Sequence, residues 1–232
     1  PPLIDRKVLR QWLKSNYSIF NIKDIKIKSL NSERDKNFLI KGICGKYYVV
    51  KISHPSESIK QLNFQDDLIK HLRSNSSLVK IYPKICHNNI LFYNDLNQRK
   101  CAVRVLTYID GKMYAKSKIT DEIEISFGKF LGLQTNQLKN FIHKESIRNF
   151  IWNPENIQWI NEYLYLFKGE KKKIIKNAIF YNKYFVQKNI KNLRYSVTHG
   201  DPNDYNIVID EKGVKGFIDF GDSLYAPVIN DL

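Results

Sequence analysis

Residues 198–206 read THGDPNDYN, and the chain continues as IVID, the turn EKG, and a second apolar run ending in IDFGD at 218–222. A stretch with one His, two Asp, two Asn, a Gly and a Pro makes a poor helix and a poor strand. It reads as a loop that hands the chain to a strand at Ile207. The EKG turn is short, so 207–210 and 214–220 are expected to pair as a hairpin. A hairpin brings the chain back to where it began, so Asp219 is expected beside Asn206. Either half alone is an ordinary hydrophilic Asx-type turn. The two halves in order, joined by a short hairpin, favour a pair of catalytic motifs.

The rest of the chain alternates in a way that fits two lobes. Residues 3–17 carry Leu3, Val8, Leu9, Trp12 and Leu13 at helical spacing. Strands are expected at 25–30, 37–41 and 46–52, the last two joined through ICGK with Gly45. Ser56 or Ser58 then caps a helix striped by Ile59, Leu62, Leu68, Ile69 and Leu72. Two more strands, 89–93 and 101–109, flank the polar loop NDLNQRK. From Thr120 onward helix dominates, with Ile123, Phe127, Phe130 and Leu131 at helical spacing and a further helical region over 155–193. The expectation is an α+β fold: a β-rich N-terminal lobe over 1–108, a hinge near 106–111, and a mainly helical C-terminal lobe over 109–232.

Composition limits the alternatives. The chain has 232 residues, 43% of them hydrophobic, enough for a core and too many for wholesale disorder. No apolar run reaches membrane-span length and no signal-peptide pattern opens the chain. The three cysteines, Cys44, Cys86 and Cys101, are too scattered for a disulfide framework or a CxxC metal site. These features predict a soluble, reduced, cytoplasmic protein with no membrane partner. The net charge of +15 raises the question of nucleic acid. Lysine recurs in every region, however, and the densest run, EKKK at 170–173, lies in a helical pattern as a solvated face. No nucleic-acid partner is expected.

Asp201 stands five residues before Asn206, and Asp219-Phe220-Gly221 follows. Protein kinases carry H-R-D-x-x-x-x-N and D-F-G at matching spacing. There the first Asp accepts the substrate hydroxyl proton, while the Asn and the second Asp hold Mg²⁺. On that reading Asp201 is the catalytic base and Asn206 and Asp219 are hard oxygen ligands of Mg²⁺. A cation for the nucleotide phosphates is also needed. Lys51, inside the apolar strand YYVVKI, supplies it or is an edge-strand lysine facing water. The following helix has no Glu at the position of the usual partner, where Gln65, Asp66 and Asp67 stand instead. No GxGxxG or GxxxxGK[ST] occurs, which leaves Ser32 and loop N–H groups to cover the phosphates.

HGDPNDYN, IDFGD and SLYAPVINDL together resemble the aminoglycoside phosphotransferase and choline kinase family, with HGD in place of HRD. RDKNFLI, VVKISHP, RVLTYIDGK, RNFIWN and GDSLYAP are similar to the hydroxylysine kinase branch. The resemblance covers residues from about 19 to 232. It implies a protein-kinase-like two-lobe fold, with further C-terminal helices beyond Leu232 that help wall the acceptor site. It implies phosphoryl transfer from ATP or GTP to a hydroxyl of an amine-containing metabolite such as 5-hydroxylysine. The same catalytic residues would serve an antibiotic-modifying aminoglycoside phosphotransferase. A nucleotide-binding pseudokinase that regulates a partner is the other alternative; its mark would be a lost catalytic Asp or metal ligand, and neither is lost here. Lys51 would contact the α and β phosphates, and backbone around Leu106, Thr107 and Tyr108 the nucleotide base. Asp204 and Asp222 would face the amine. Arg148 and Trp152 either close over the substrate or serve as ordinary helix surface and packing.

Overall fold

The computed structural model describes residues 1–75 and 77–232, and all of their side chains except that of Cys44. In chain order its main elements are α1 (Arg6–Asn16), β1 (Ile27–Leu30), β2 (Lys36–Lys41), β3 (Tyr47–Ile52), α2 (Ile59–Arg73), β4 (Leu91–Asn94), β5 (Lys100–Thr107) and β6 (Lys112–Met113). There follow α3 (Asp121–Leu138), α4 (Gly169–Tyr181), β7 (Tyr195–Thr198), β8 (Ile207–Asp210), β9 (Gly213–Phe217) and β10 (Leu224–Pro227). The chain is α+β. It divides into two compact units, Pro1–Phe127 with Asp204–Ile218, and Gly128–Asn203 with Asp219–Leu232.

In the first unit an antiparallel five-stranded sheet has the order β1-β2-β3-β5-β4. Alternation decides which residues face which side. Phe38 and Ile40, Tyr48, Val50 and Ile52, and Cys101, Val103 and Val105 form one apolar face. Leu9 and Leu13 of α1, with Tyr17 and Phe20, close over that face. Each such side chain contributes about 1.5–3 kcal/mol on burial. Asp5 caps α1, its carboxylate accepting the N–H groups of Lys7 and Val8 at 2.6 and 3.2 Å. Leu3 and Val8, read as part of the helical stripe, are instead about half exposed, at 47% and 49%.

Arg104 lies between Val103 and Val105 in β5 and therefore points to the opposite face. There it donates to the Leu62 carbonyl of α2, so α2 covers that side. Ser58 occupies the N-cap position of α2 without a side-chain cap bond. The ICGK connection is a 3₁₀ turn, Ile43–Gly45, whose Gly45 has φ +73°. The same unit holds the hairpin expected from the sequence. β8 pairs with β9 on one side and β6 on the other. Phe217 anchors it, its N–H donating to the Ile81 carbonyl and its ring against Tyr82 and Phe127.

The second unit is mainly helical. α3 begins in the first unit and ends here. The stretch expected to be helical over 155–193 is a 3₁₀ segment (Gln158–Leu166), α4, and a π-turn over Asn182–Val186. At the π-turn, buried Asn182 donates its amide to the Pro154 carbonyl and accepts from Gln158 Nε2, both distant in the chain. β7 and β10 pair antiparallel, Thr198 opposite Leu224. Among the described residues no helix is long and apolar enough to cross a membrane.

Candidate active site

The loop that carries Asp201 leaves β7 at Thr198, inside the second unit. His199 is fully buried, its ring centroid 4.7 Å from that of Phe220. The backbone N–H groups of His199 and Gly200 donate to the two carboxylate oxygens of Asp231, each at 2.8 Å. Ser223 Oγ donates to the His199 carbonyl at 3.0 Å. Every polar backbone group of His199 is thereby engaged, as a buried loop requires. Asp231 is itself buried, and that burial pushes its carboxyl pKa up; the Gly200 and His199 N–H groups and the His199 ring pull it back down. Gly200 adopts φ +82°, and a Cβ there would overlap the backbone of Asp222. Only glycine fits this place, because both the dihedral and the close approach exclude a side chain.

From this fixed base Asp201 emerges half-buried. Its N–H donates to His199 Nδ1 at 3.4 Å, and its two carboxylate oxygens accept the Asn203 amide at 2.8 and 2.9 Å. Asp219 is exposed, has φ +63°, and is followed by buried Phe220. A left-handed conformation is uncommon for a side-chain-bearing residue, and Asp tolerates it better than most. Arg148 Nη2 donates to the Gly221 carbonyl at 2.8 Å, while its guanidinium lies over the Phe150 ring. The second unit thus gathers Asp201, Asp219, Asp222 and Arg148 around Gly200 and Gly221. Trp152 is 69% exposed and packs edge-on against Trp159.

In the first unit, Asn206 precedes β8 and its carbonyl accepts the Ile218 N–H at 3.0 Å, immediately before Asp219 in the chain. The Asp204 carbonyl accepts from Ala115 N–H, and its side chain is exposed. Lys51 is half-buried in β3, with Arg104 opposite it on β5 and Asn37 opposite it on β2. Leu106 pairs with Val49 and is buried. The N–H groups of Thr107 and Tyr108 donate to the carbonyls of Lys84 and Tyr47. Ser32 is exposed in the β1–β2 connection. The sequence pattern did not single out the groups that hold the acting residues, namely Asp231, Ser223, Asn203 and Arg104; Gln65 and Asp66 stood at the expected helix position, but their partner is Arg104. The available signal was a charge set in or close to an apolar run, as in AVRVL and VINDL.

Oxygen donors dominate this set. Asn206 carries an amide oxygen and Asp219 a carboxylate, each a hard donor of the kind that Mg²⁺ takes. Among the described residues no group of three or more His, Cys, Asp or Glu side chains forms a cage for a metal.

Comparison with known proteins gives the family and the fold. The profile of the family described as "Phosphotransferase enzyme family" matches residues 26–232. Hydroxylysine kinase of Xenopus laevis is 30% identical over 244 residues, covering 93% of this chain and 65% of that protein. Hydroxylysine kinase of Mus musculus is 28% identical, covering 90% of this chain and 63% of its own length. The chain therefore spans just under two thirds of these relatives. Among solved structures, a microcompartment-associated aminopropanol kinase superposes with TM-score 0.74 at 13% identity, covering 98% of this chain and 72% of that one. An amicoumacin kinase in complex with AMP-PNP, Ca²⁺ and Ami superposes with TM-score 0.69 at 16% identity, covering 98% and 67%. These two share the fold. With the profile covering most of its length and its HGD and DFG loops built as described, the chain belongs to the phosphotransferase enzyme family.

Proposed function

We propose that this protein is a small-molecule kinase that transfers the γ-phosphoryl group of ATP or GTP to a hydroxyl of an amine-containing metabolite resembling 5-hydroxylysine. The observation that carries the reading is the support beneath Asp201. Two backbone N–H groups run into Asp231 and one carbonyl takes Ser223 Oγ, and the Asp201 carboxylate stands out of this base half-buried. A loop so firmly held suits a group that must meet a hydroxyl at one position. The acceptor class rests on the names of the curated relatives, which are hydroxylysine kinases.

In this reading residues 1–108 bind nucleotide and 109–232 carry the catalytic lobe. Lys51 contacts the α and β phosphates, with Ser32 and its loop above them, and the base lies against Leu106, Thr107 and Tyr108. Asn206 and Asp219 hold Mg²⁺, which when bound neutralises phosphate charge. Asp201 orients the acceptor hydroxyl and takes its proton as the oxygen–phosphorus bond forms. Asp204 and Asp222 receive the ammonium group of the acceptor, and Arg148 and Trp152 border it.

The test is a nucleoside diphosphate release assay with ATP and GTP against 5-hydroxylysine, homoserine, choline and a panel of aminoglycosides. Turnover confined to 5-hydroxylysine is the expected result, and turnover confined to aminoglycosides overturns the acceptor assignment. Asp201→Asn keeps the size of the side chain and removes its basicity. Its turnover should fall about 10²- to 10⁴-fold, with Mg-nucleotide affinity little changed. Equal turnover in the two proteins removes Asp201 from the chemistry.

A further inference from the structure

Arg104 sits in mid-strand with core residues on both sides, and it is only 5% exposed. A buried guanidinium is costly unless its charge and its donors are met. α2 meets them. Nη1 donates to Asp66 Oδ1 at 2.9 Å and to the Leu62 carbonyl at 3.4 Å, and Nη2 donates to Gln65 Oε1 at 2.8 Å. Asp66 and Gln65 are each 6% exposed. Gln65 and Asp66 are the α2 residues that stand where the sequence pattern looks for a partner of Lys51. Both are engaged by another cation.

The β3–β5 register sets Arg104 directly opposite Lys51. Opposed residues of an antiparallel pair project from the same face with Cβ atoms about 5 Å apart, and like charges so placed repel. Two cations therefore share the face that α2 covers, and the helix carboxylate is committed to one of them.

We propose that Arg104 is the positioning residue for Lys51. It docks α2 on the sheet through Asp66 and Gln65, and its charge keeps the Lys51 ammonium from turning onto Asp66. The lysine then stays presented to nucleotide phosphates. The proposal rests on the reading of Lys51 as the phosphate-binding lysine. It makes the docking of α2 independent of Lys51 and of nucleotide.

Three variants test it: Arg104→Met, Asp66→Asn, and the two combined. Arg104→Met leaves the Asp66 carboxylate buried, with Lys70 of α2 and Lys51, which stands opposite position 104 on β3, as the remaining cations about it. Affinity for MgADP by calorimetry, and KM for the Mg-nucleoside triphosphate, should worsen about tenfold, with kcat at saturating nucleotide within about threefold. Adding Asp66→Asn removes the carboxylate charge and should return nucleotide affinity to within about threefold of wild type, although the double variant is less stable. Asp66→Asn alone should leave nucleotide affinity unchanged. A purely structural arginine predicts the opposite: affinity and kcat fall together, and the second substitution restores nothing. Unchanged affinity in Arg104→Met, or no restoration in the double variant, overturns the proposal. If Arg104→Met does not fold, the double variant carries the test, and a loss of its nucleotide affinity overturns the idea. Wild-type protein that binds neither MgADP nor MgGDP overturns the kinase reading as well. Wild-type binding with an unaltered Arg104→Met overturns the role of Arg104 alone.

Discussion

Gly200→Ala is the substitution whose outcome is most tightly bound to the geometry of the catalytic loop. Gly200 has φ +82°, where an L side chain costs about 1–2 kcal/mol. A Cβ built there would lie 2.7 Å from the Asp222 carbonyl carbon, closer still to its oxygen, and 3.2 Å from the Leu224 side chain. The first two contacts are backbone and cannot rotate away. Overpacking of this kind costs about 1–3 kcal/mol, so the total is about 2–5 kcal/mol. That is a large share of the roughly 5–15 kcal/mol that holds a domain together. The loop can relieve the overlap only by moving away from Asp222, which strains the bonds to Asp231 and Ser223. A shift of order 1 Å at Asp201 follows, and a misplacement of that size lowers turnover about 10²-fold. Denaturant unfolding measures the first effect, and turnover beside MgADP affinity measures the second. Nucleotide affinity should hold, because Gly200 lies in the loop beneath the proposed base. A variant with wild-type stability and wild-type turnover would refute the argument that the loop is pinned at this residue.

Asp231→Asn leaves one acceptor oxygen for two N–H groups; it should lower stability by about 1–3 kcal/mol and turnover at least about tenfold, and wild-type turnover would refute the anchor role. Burial raises the Asp231 pKa, so the native state holds the proton more tightly; stability should fall as pH rises from the ordinary carboxylate range through the raised value. That slope should be missing in Asp231→Asn, and parallel pH–Tm curves would contradict it. Asp95 behaves in the opposite sense. Its side-chain hydrogen bonds with Arg99, helped by backbone N–H groups, hold its carboxyl pKa well below the usual range. Its contribution is present above the ordinary carboxylate pKa and is lost as pH falls through the depressed one. The Tm gap between wild type and Asp95→Asn should therefore narrow with acidification; a constant gap refutes this. Gly132 lies within α3, and a Cβ there meets nothing within 4 Å. Gly132→Ala should raise stability by about 0.5–1 kcal/mol without changing turnover, and a lower Tm would mean the helix needs glycine there.

What the sequence disclosed follows from distance along the chain. Asp201 and Asn206 share one polar loop, and Asp219 closes the hairpin that follows, so the spacing of three residues already suggests a site. The strands of the first unit were legible because alternation over six residues in β2 and β3 marks a buried face. β7 and β10 were not. Each has four residues, three of them buried, and neither alternates. The break in the 155–193 helix was hidden for another reason. It depends on Asn182 meeting Pro154, a contact 28 residues apart that no local propensity encodes.

The same distance separates residues that act from residues that hold them. Asp231 reaches Gly200 across 31 residues, Ser223 reaches His199 across 24, and Arg104 reaches Asp66 across 38. Nothing in a local window ties these pairs together. Yet each member carries a mark of its own. Asp231 lies two residues past the apolar Pro227-Val228-Ile229, with Asn230 between, and Arg104 stands between two core valines. A charge in such a place must find an opposite charge or a set of backbone donors, because burial without one costs several kcal/mol. Sequence therefore states that a partner exists and leaves its identity to the fold. The consequence for Lys51 is concrete. A lysine in an apolar strand, followed by a helix bearing Gln65, Asp66 and Asp67, reads as one cation with three candidate partners. The neighbouring strand supplies a second cation, and Gln65 and Asp66 belong to it.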